Sequence, residues 1–217
     1  MFVKLKDKNL MEEKTFVVET SARHVHVTQE ALDYLLDAKE GEHAELKVRA
    51  PLSQPGQFVS FTRLNLIGPV NPKTGKERMI AGVSILGPVR KGNQVEVSLT
   101  DARTLGVSAP IRESGDTEGS APIAIVNPEN GKRLDLKEGC IVAKRHIHMT
   151  PEDAKEFGVS NGEIVSVLIK GTGRETIFGD TVIRVSPSYH LNMHIDTDES
   201  NAANAGGKGQ ILGTIVR

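Results

Sequence analysis

The sequence predicts a mainly β protein made of two similar modules with a few short helices. Three observations carry that prediction. Short runs rich in Val and Ile recur between Gly, Pro, Asn or Asp; aromatic residues are scarce; and one nine-residue motif occurs twice. Among 217 residues there are 21 Gly and 10 Pro but no Trp, two Tyr and six Phe. β-branched side chains fit a pleated surface and Gly and Pro punctuate it, so this mix suits short strands joined by tight turns.

In chain order, Thr15 to Thr20, Gln94 to Leu99, Ile123 to Val126, Ile164 to Ile169, Thr181 to Val185 and Gln210 to Val216 read as strands. Thr28 to Lys39 carries Ala31, Leu32, Leu35 and Leu36 at helical spacing. Thr150 to Phe157 reads as a second short helix, with Pro151 suited to its first position. Segments 113–120 and 201–209 read as loops that a ligand could order, and residues 1–14 form a short extension with a weak amphipathic pattern in Phe2, Leu5, Leu10 and Met11.

Charge is nearly balanced, with 27 basic and 28 acidic residues, so neither nucleic acid nor a membrane surface is an expected partner. No segment reaches the roughly eighteen apolar residues of a membrane span, and the charged start of the chain has no apolar signal core. Cys140 is the only cysteine, which excludes an internal disulfide; it reads as a buried structural thiol. A cytoplasmic protein is expected. Gly158 to Gly162 matches G-x-S-x-G, but it follows a helix and precedes a strand, the reverse of a hydrolase elbow.

The motif is the richest signal. Ala22-Arg23-His24-Val25-His26-Val27-Thr28-Gln29-Glu30 returns as Lys144-Arg145-His146-Ile147-His148-Met149-Thr150-Pro151-Glu152, 122 residues later, with five of nine pairs identical. Alternate strand residues share a face, so each His-x-His sets two imidazoles side by side, as a metal site requires. Zinc accepts neutral imidazole and in catalytic sites takes three protein ligands, so each pair lacks a partner. The third ligand is left open among His43, His190, His194 and carboxylates, with His43 reading as a surface residue. Each pair also precedes a Thr suited to cap a helix, where anions such as phosphate are favoured, and Arg23 or Arg145 could add to that.

Several blocks resemble, in order, those of the propanediol-type phosphotransacylases. They are Ser21-Ala22-Arg23-His24-Val25-His26, Leu86-Gly87-Pro88-Val89-Arg90, Gln94-Val95-Glu96-Val97-Ser98, Thr100 to Gly106, Arg145 to Met149 and Met193 to Ala202. The resemblance implies two similar β-barrel domains capped by short α-helices and interleaved in sequence. One comprises residues 15–22 plus 145–217 and the other residues 23–144. It implies two zinc ions, one held by His24, His26 and Glu96 and one by His146, His148 and His194. Arg90 would be the catalytic, phosphate-holding residue. Thr20, Ser21, Ala22, Lys73, Ser84 and Asn201 fall where the family contacts coenzyme A. The partners implied are acyl-CoA or CoA and inorganic phosphate, in a homo-oligomer. With only about fourteen residues before the first strand, a free cytoplasmic protein is favoured over association with a bacterial microcompartment, which stays open.

The expected reaction exchanges CoA for phosphate on a propanoyl or acetyl group. Phosphate attacks the thioester directly in a ternary complex, since no convincing protein nucleophile is present. Asp196, Asp198 and Glu199 are candidate acceptors for a ligand N–H. A zinc-dependent thioester or phosphoester hydrolase and a non-catalytic metal- or CoA-binding module are the competing readings.

Overall fold

A computed structural model of the chain describes residues 14–207 and 209–216, so the amphipathic pattern at the start lies outside the described residues. The first half contains β1 (Phe16–Thr20), β2 (His24–His26), α1 (Gln29–Leu36), β3 (Val48–Pro51), β4 (Phe58–Val70), β5 (Glu77–Gly87), β6 (Gln94–Glu96), α2 (Leu99–Leu105) and β7 (Ile111–Arg112). The second contains β8 (Ala121–Val126), β9 (Arg133–Ala143), β10 (His146–Met149), α3 (Pro151–Phe157), β11 (Ile164–Ile169), β12 (Thr176–Val185), β13 (Asn192–Ile195), α4 (Thr197–Ala202) and β14 (Ile211–Val216).

The protein is mainly β, as expected, and its strands close into two barrels. One runs β1-β13-β10-β12-β11-β14 and back to β1. The other runs β4-β5-β2-β6-β9-β8 and returns to β4, with β3 and β7 added at its margins. Thus β1 pairs with the last strands of the chain, although the strand that follows it belongs to the other barrel. Closure leaves few open strand edges.

The duplicated motif occupies the same place in each barrel. β2 lies between β5, parallel, and β6, antiparallel; β10 lies between β12, parallel, and β13, antiparallel. Thr28 and Thr150 cap α1 and α3 by accepting the backbone N–H groups of Ala31 and Asp153. Pro151 opens α3 as expected. The strand expected to reach Leu99 stops at Glu96, because Ser98 turns out as the N-cap of α2 and pairs reciprocally with Asp101.

Alternation decides what fills the barrels and what lines their outer walls. Val25 and Val27 enter one apolar core with Leu64, Leu66, Ile85 and Val95, while Ile147 and Met149 enter the other with Val167, Ile183 and Met193. The histidines between them therefore project from the barrel walls, yet all four are buried, because each wall is covered by further structure. Helix α2 lies against β4 at Gly68, where an added Cβ would stand 2.0 Å from the carbonyl oxygen of Leu105. Gly68→Ala should cost about 1–3 kcal/mol and lower the melting midpoint by several degrees, read by calorimetry. An unchanged midpoint would mean that α2 is not fixed there.

Candidate metal and anion site

Four short strands each deliver a ligand-type side chain two residues before a helix cap. His26 precedes Thr28, Glu96 precedes Ser98, His148 precedes Thr150 and His194 precedes Asp196. Capping fixes the backbone at each strand end, so the ligand-type residue is held by main-chain hydrogen bonds rather than by a loop. Register supplies the convergence: His24 stands opposite Glu96, and His146 stands opposite His194. Two groups result, His24 with His26 and Glu96, and His146 with His148 and His194. Within each, the candidate ligand atoms lie within 4.8 Å of one another.

The hydrogen bonds of the imidazoles indicate what these groups can hold. His24 Nδ1 donates to the carbonyl of Ala22 at 2.9 Å and His26 Nδ1 to that of Leu86 at 3.3 Å. Their Nε2 atoms then face each other at 3.1 Å, with Glu96 Oε2 3.4 Å from His24 Nε2. Three lone-pair groups on one point demand a proton or a metal cation between them. Burial acts against the charged form of His24, but Glu96 outweighs it and holds His24 above its ordinary value. Burial also opposes ionisation of Glu96, yet the two histidines and Ser114 keep its carboxyl well below the usual carboxylate range.

The second group has no carboxylate among its three members. His146 Nδ1 donates to Lys144 O at 2.8 Å, and its Nε2 faces His148 Nε2 at 3.1 Å. Burial, helped by neighbouring imidazoles, pushes His146 down to about 4 and His148 down to about 2. His148 Nδ1 is buried with no hydrogen-bond partner among the described residues. Two nitrogens bound to a tetrahedral zinc at ordinary lengths would stand about 3.3 Å apart, close to both observed separations. The donor sets therefore fit a borderline-soft divalent cation.

Both groups line one cavity of about 430 Å³ between the barrels, together with Arg90, Thr20, Ser21, Ala22 and Ser84. Lys73, exposed in the turn between β4 and β5, and Asn201, exposed on α4, do not line it. Arg90 donates to Ser114 Oγ at 3.1 Å, and Ser114 donates in turn to Glu96 Oε1 at 2.7 Å. Burial draws the Arg90 guanidinium down from its ordinary value, but a guanidinium stays cationic at neutral pH.

Other residues take different places from those expected. Arg23 is paired with Asp101 at 2.7 Å, and Arg145 with Glu199, so each braces the helix that follows a ligand-bearing strand. Asp196 and Glu199 cap α4 reciprocally, and Asp198 accepts the backbone N–H of Thr100. None of these carboxylates meets a site histidine. Besides Glu96, the carboxylate that does is Glu19 on β1, 3.2 Å from His194 Nε2, and His194 holds the Glu19 carboxyl below its usual range. Glu19, Ser114, Tyr189 and Arg184 were not expected in the cavity. Glu19 offered one signal, adjacency to Thr20 on a predicted strand. His43 is an exposed residue bonded to Asp33, and His190 bonds Ser53 O across the barrels. Buried Cys140 has its thiol pushed up to about 12 by burial.

A family model described as phosphate propanoyltransferase matches residues 17–206. A phosphate propanoyltransferase of Enterococcus faecalis is 46% identical over 203 residues, covering 93% of this chain and 90% of that protein. One of Lachnoclostridium phytofermentans is 51% identical over 186 residues, covering 86% and 81%. One of Thermotoga maritima is 44% identical over 194 residues, covering 89% and 86%. Among the described residues no helix is long and apolar enough to cross a membrane.

Proposed function

The chain belongs to the phosphate propanoyltransferase family, and on that premise we propose that it exchanges CoA and inorganic phosphate on a short acyl group, propanoyl or acetyl, at a site holding two zinc ions. The observation that carries this reading is the meeting of two three-ligand groups and Arg90 in one cavity. In this reading His24, His26 and Glu96 hold one ion and His146, His148 and His194 hold the other. When bound, zinc supplies Lewis-acid polarisation of an acyl or phosphoryl oxygen and a soft partner for thiolate.

The remaining work falls to the chain. Arg90 takes phosphate through its planar N–H fork, and Ser114 and Glu96 fix the orientation of that fork. Phosphate so held is brought to within about 3–3.5 Å of the thioester carbon, the approach direct attack needs. Thr20, Ser21, Ala22 and Ser84 contact the CoA end nearest the cavity, and Lys73 and Asn201 contact its distal part. Leu52, Val59 and Leu86 give the cavity an apolar side against which a short acyl chain can pack. Acetyl and propanoyl differ by one methylene, worth about 1–3 kcal/mol in such a pocket, so both are substrates to different degrees.

Transfer proceeds in a ternary complex without an acylated protein. The one thiol is buried and poorly ionised, so Cys140→Ala should keep kcat within about two-fold of wild type. Initial rates with varied propanoyl-CoA and phosphate should give intersecting double-reciprocal lines, with CoA released only when phosphate is present. Parallel lines with an acyl-protein that turns over at the steady-state rate would refute direct transfer. CoA release in water alone would favour a hydrolase.

A further inference from the structure

Arg184 has no part in the reading above, although its side chain lines the same cavity as Arg90 and both histidine groups. It sits on β12 opposite His148 in the parallel register. Its side chain is 25% exposed, and its one ion contact among the described residues is from Nε to Glu113 Oε2 at 4.0 Å, with Glu113 itself 49% exposed. No hydrogen bond engages its guanidinium among the described residues. Arg23 and Arg145, by contrast, are each bound closely to a carboxylate. A guanidinium carries five N–H donors in a fixed fork, and largely covering them without acceptors is costly.

The fold does not require a charge there. Following the register of β2 with β5, the corresponding position in the other barrel is Leu86. Two arginines, one from each barrel, share this cavity, and among the described residues neither guanidinium is hydrogen-bonded to a carboxylate, an arrangement suited to a polyanion.

We propose that Arg184 is a second phosphate-gripping residue, which holds inorganic phosphate and the acyl phosphate product from the barrel opposite Arg90. This rests on the proposed phosphate acyltransferase function. The test uses zinc-loaded full-length protein as wild type, Arg184→Gln, Arg184→Lys and Glu113→Gln. KM for phosphate and for propanoyl-CoA are measured separately, together with the melting midpoint with and without inorganic phosphate. Arg184→Gln should raise KM for phosphate roughly 10- to 100-fold, as loss of a charge-assisted contact implies. KM for propanoyl-CoA should stay within about two-fold and the phosphate-induced rise in midpoint should disappear, while Arg184→Lys, which keeps the charge but not the fork, falls between. Glu113→Gln should behave as wild type.

A rise in KM for propanoyl-CoA alone, or in both equally, would assign Arg184 to the phosphates of CoA and overturn the proposal. So would matching losses of stability in Arg184→Gln and Glu113→Gln, the mark of a brace between barrels, or an unchanged KM for phosphate. If Arg184→Gln does not fold, the Arg184→Lys comparison decides. Absence of phosphate-dependent CoA release in the wild type would sink the proposed function itself, and the thermal shift with inorganic phosphate would still report on Arg184.

Discussion

Arg90→Ala is expected to keep its fold and the metal content of the wild type while losing phosphate-dependent CoA release by about 10²–10³-fold, the usual cost of removing one preorganised donor to developing charge. The reason lies in how Arg90 is held. Its backbone N–H is fixed to the carbonyl of Val27 at 2.8 Å, and its guanidinium is tied through Ser114 to Glu96. The side chain is thus aimed before phosphate arrives, so its contribution carries little ordering cost. Arg90→Lys keeps the charge but not the planar fork and should recover only part of the rate. Parallel measurement of metal content, melting midpoint and acyl phosphate formation separates a lost contact from a lost fold. Near-normal turnover in Arg90→Ala would remove the phosphate role from this residue.

The second large effect is expected from the ligand groups. Glu96→Ala and His148→Ala should each lose one ion per chain and reduce activity to background. Removing both ions with a chelator should also lower the melting midpoint, since a ligand at 100 times its Kd stabilises by about 2.7 kcal/mol. A loss of activity with metal content unchanged would contradict the assignment. The metal-free protein also has a predictable pH response. His26, held down to about 3 by burial and by His24, and His146 and His148, at about 4 and about 2, bind protons less readily folded than unfolded. Their contribution to stability is fully present above pH 6.5 and is lost progressively as pH falls toward those values, so midpoints should drop on acidification. His24 has the opposite sign and offsets part of the drop.

Much of this arrangement was legible in the residues because it is local. Each His-x-His alternates with apolar residues, and each runs into a capping threonine, so strand, helix start and the pairing of imidazoles all follow from neighbours in sequence. The duplication announced two similar modules. What was not legible depends on pairings between distant segments. The pairing of β1 with β13 and β14 is implied by the family resemblance and by nothing in the neighbouring residues, and the contact of Glu19 with His194 spans 175 positions. The long β4 and β5 strands were hidden because register shifts interrupt their alternation. In sequence, Ser98 is indistinguishable from one more strand residue after Gln94-Val95-Glu96-Val97, and only the fold makes it a helix cap. Arg184 falls in the expected strand Thr181 to Val185 with nothing local to single it out, and only register sets it opposite His148.

The most direct test is a zinc titration of chelator-treated, metal-free protein, following conversion of propanoyl-CoA and phosphate to propanoyl phosphate and CoA. With both groups facing one cavity, activity should be negligible without metal and should plateau at two equivalents per chain. Full activity without metal, or CoA release that rises with zinc yet ignores phosphate, would contradict it.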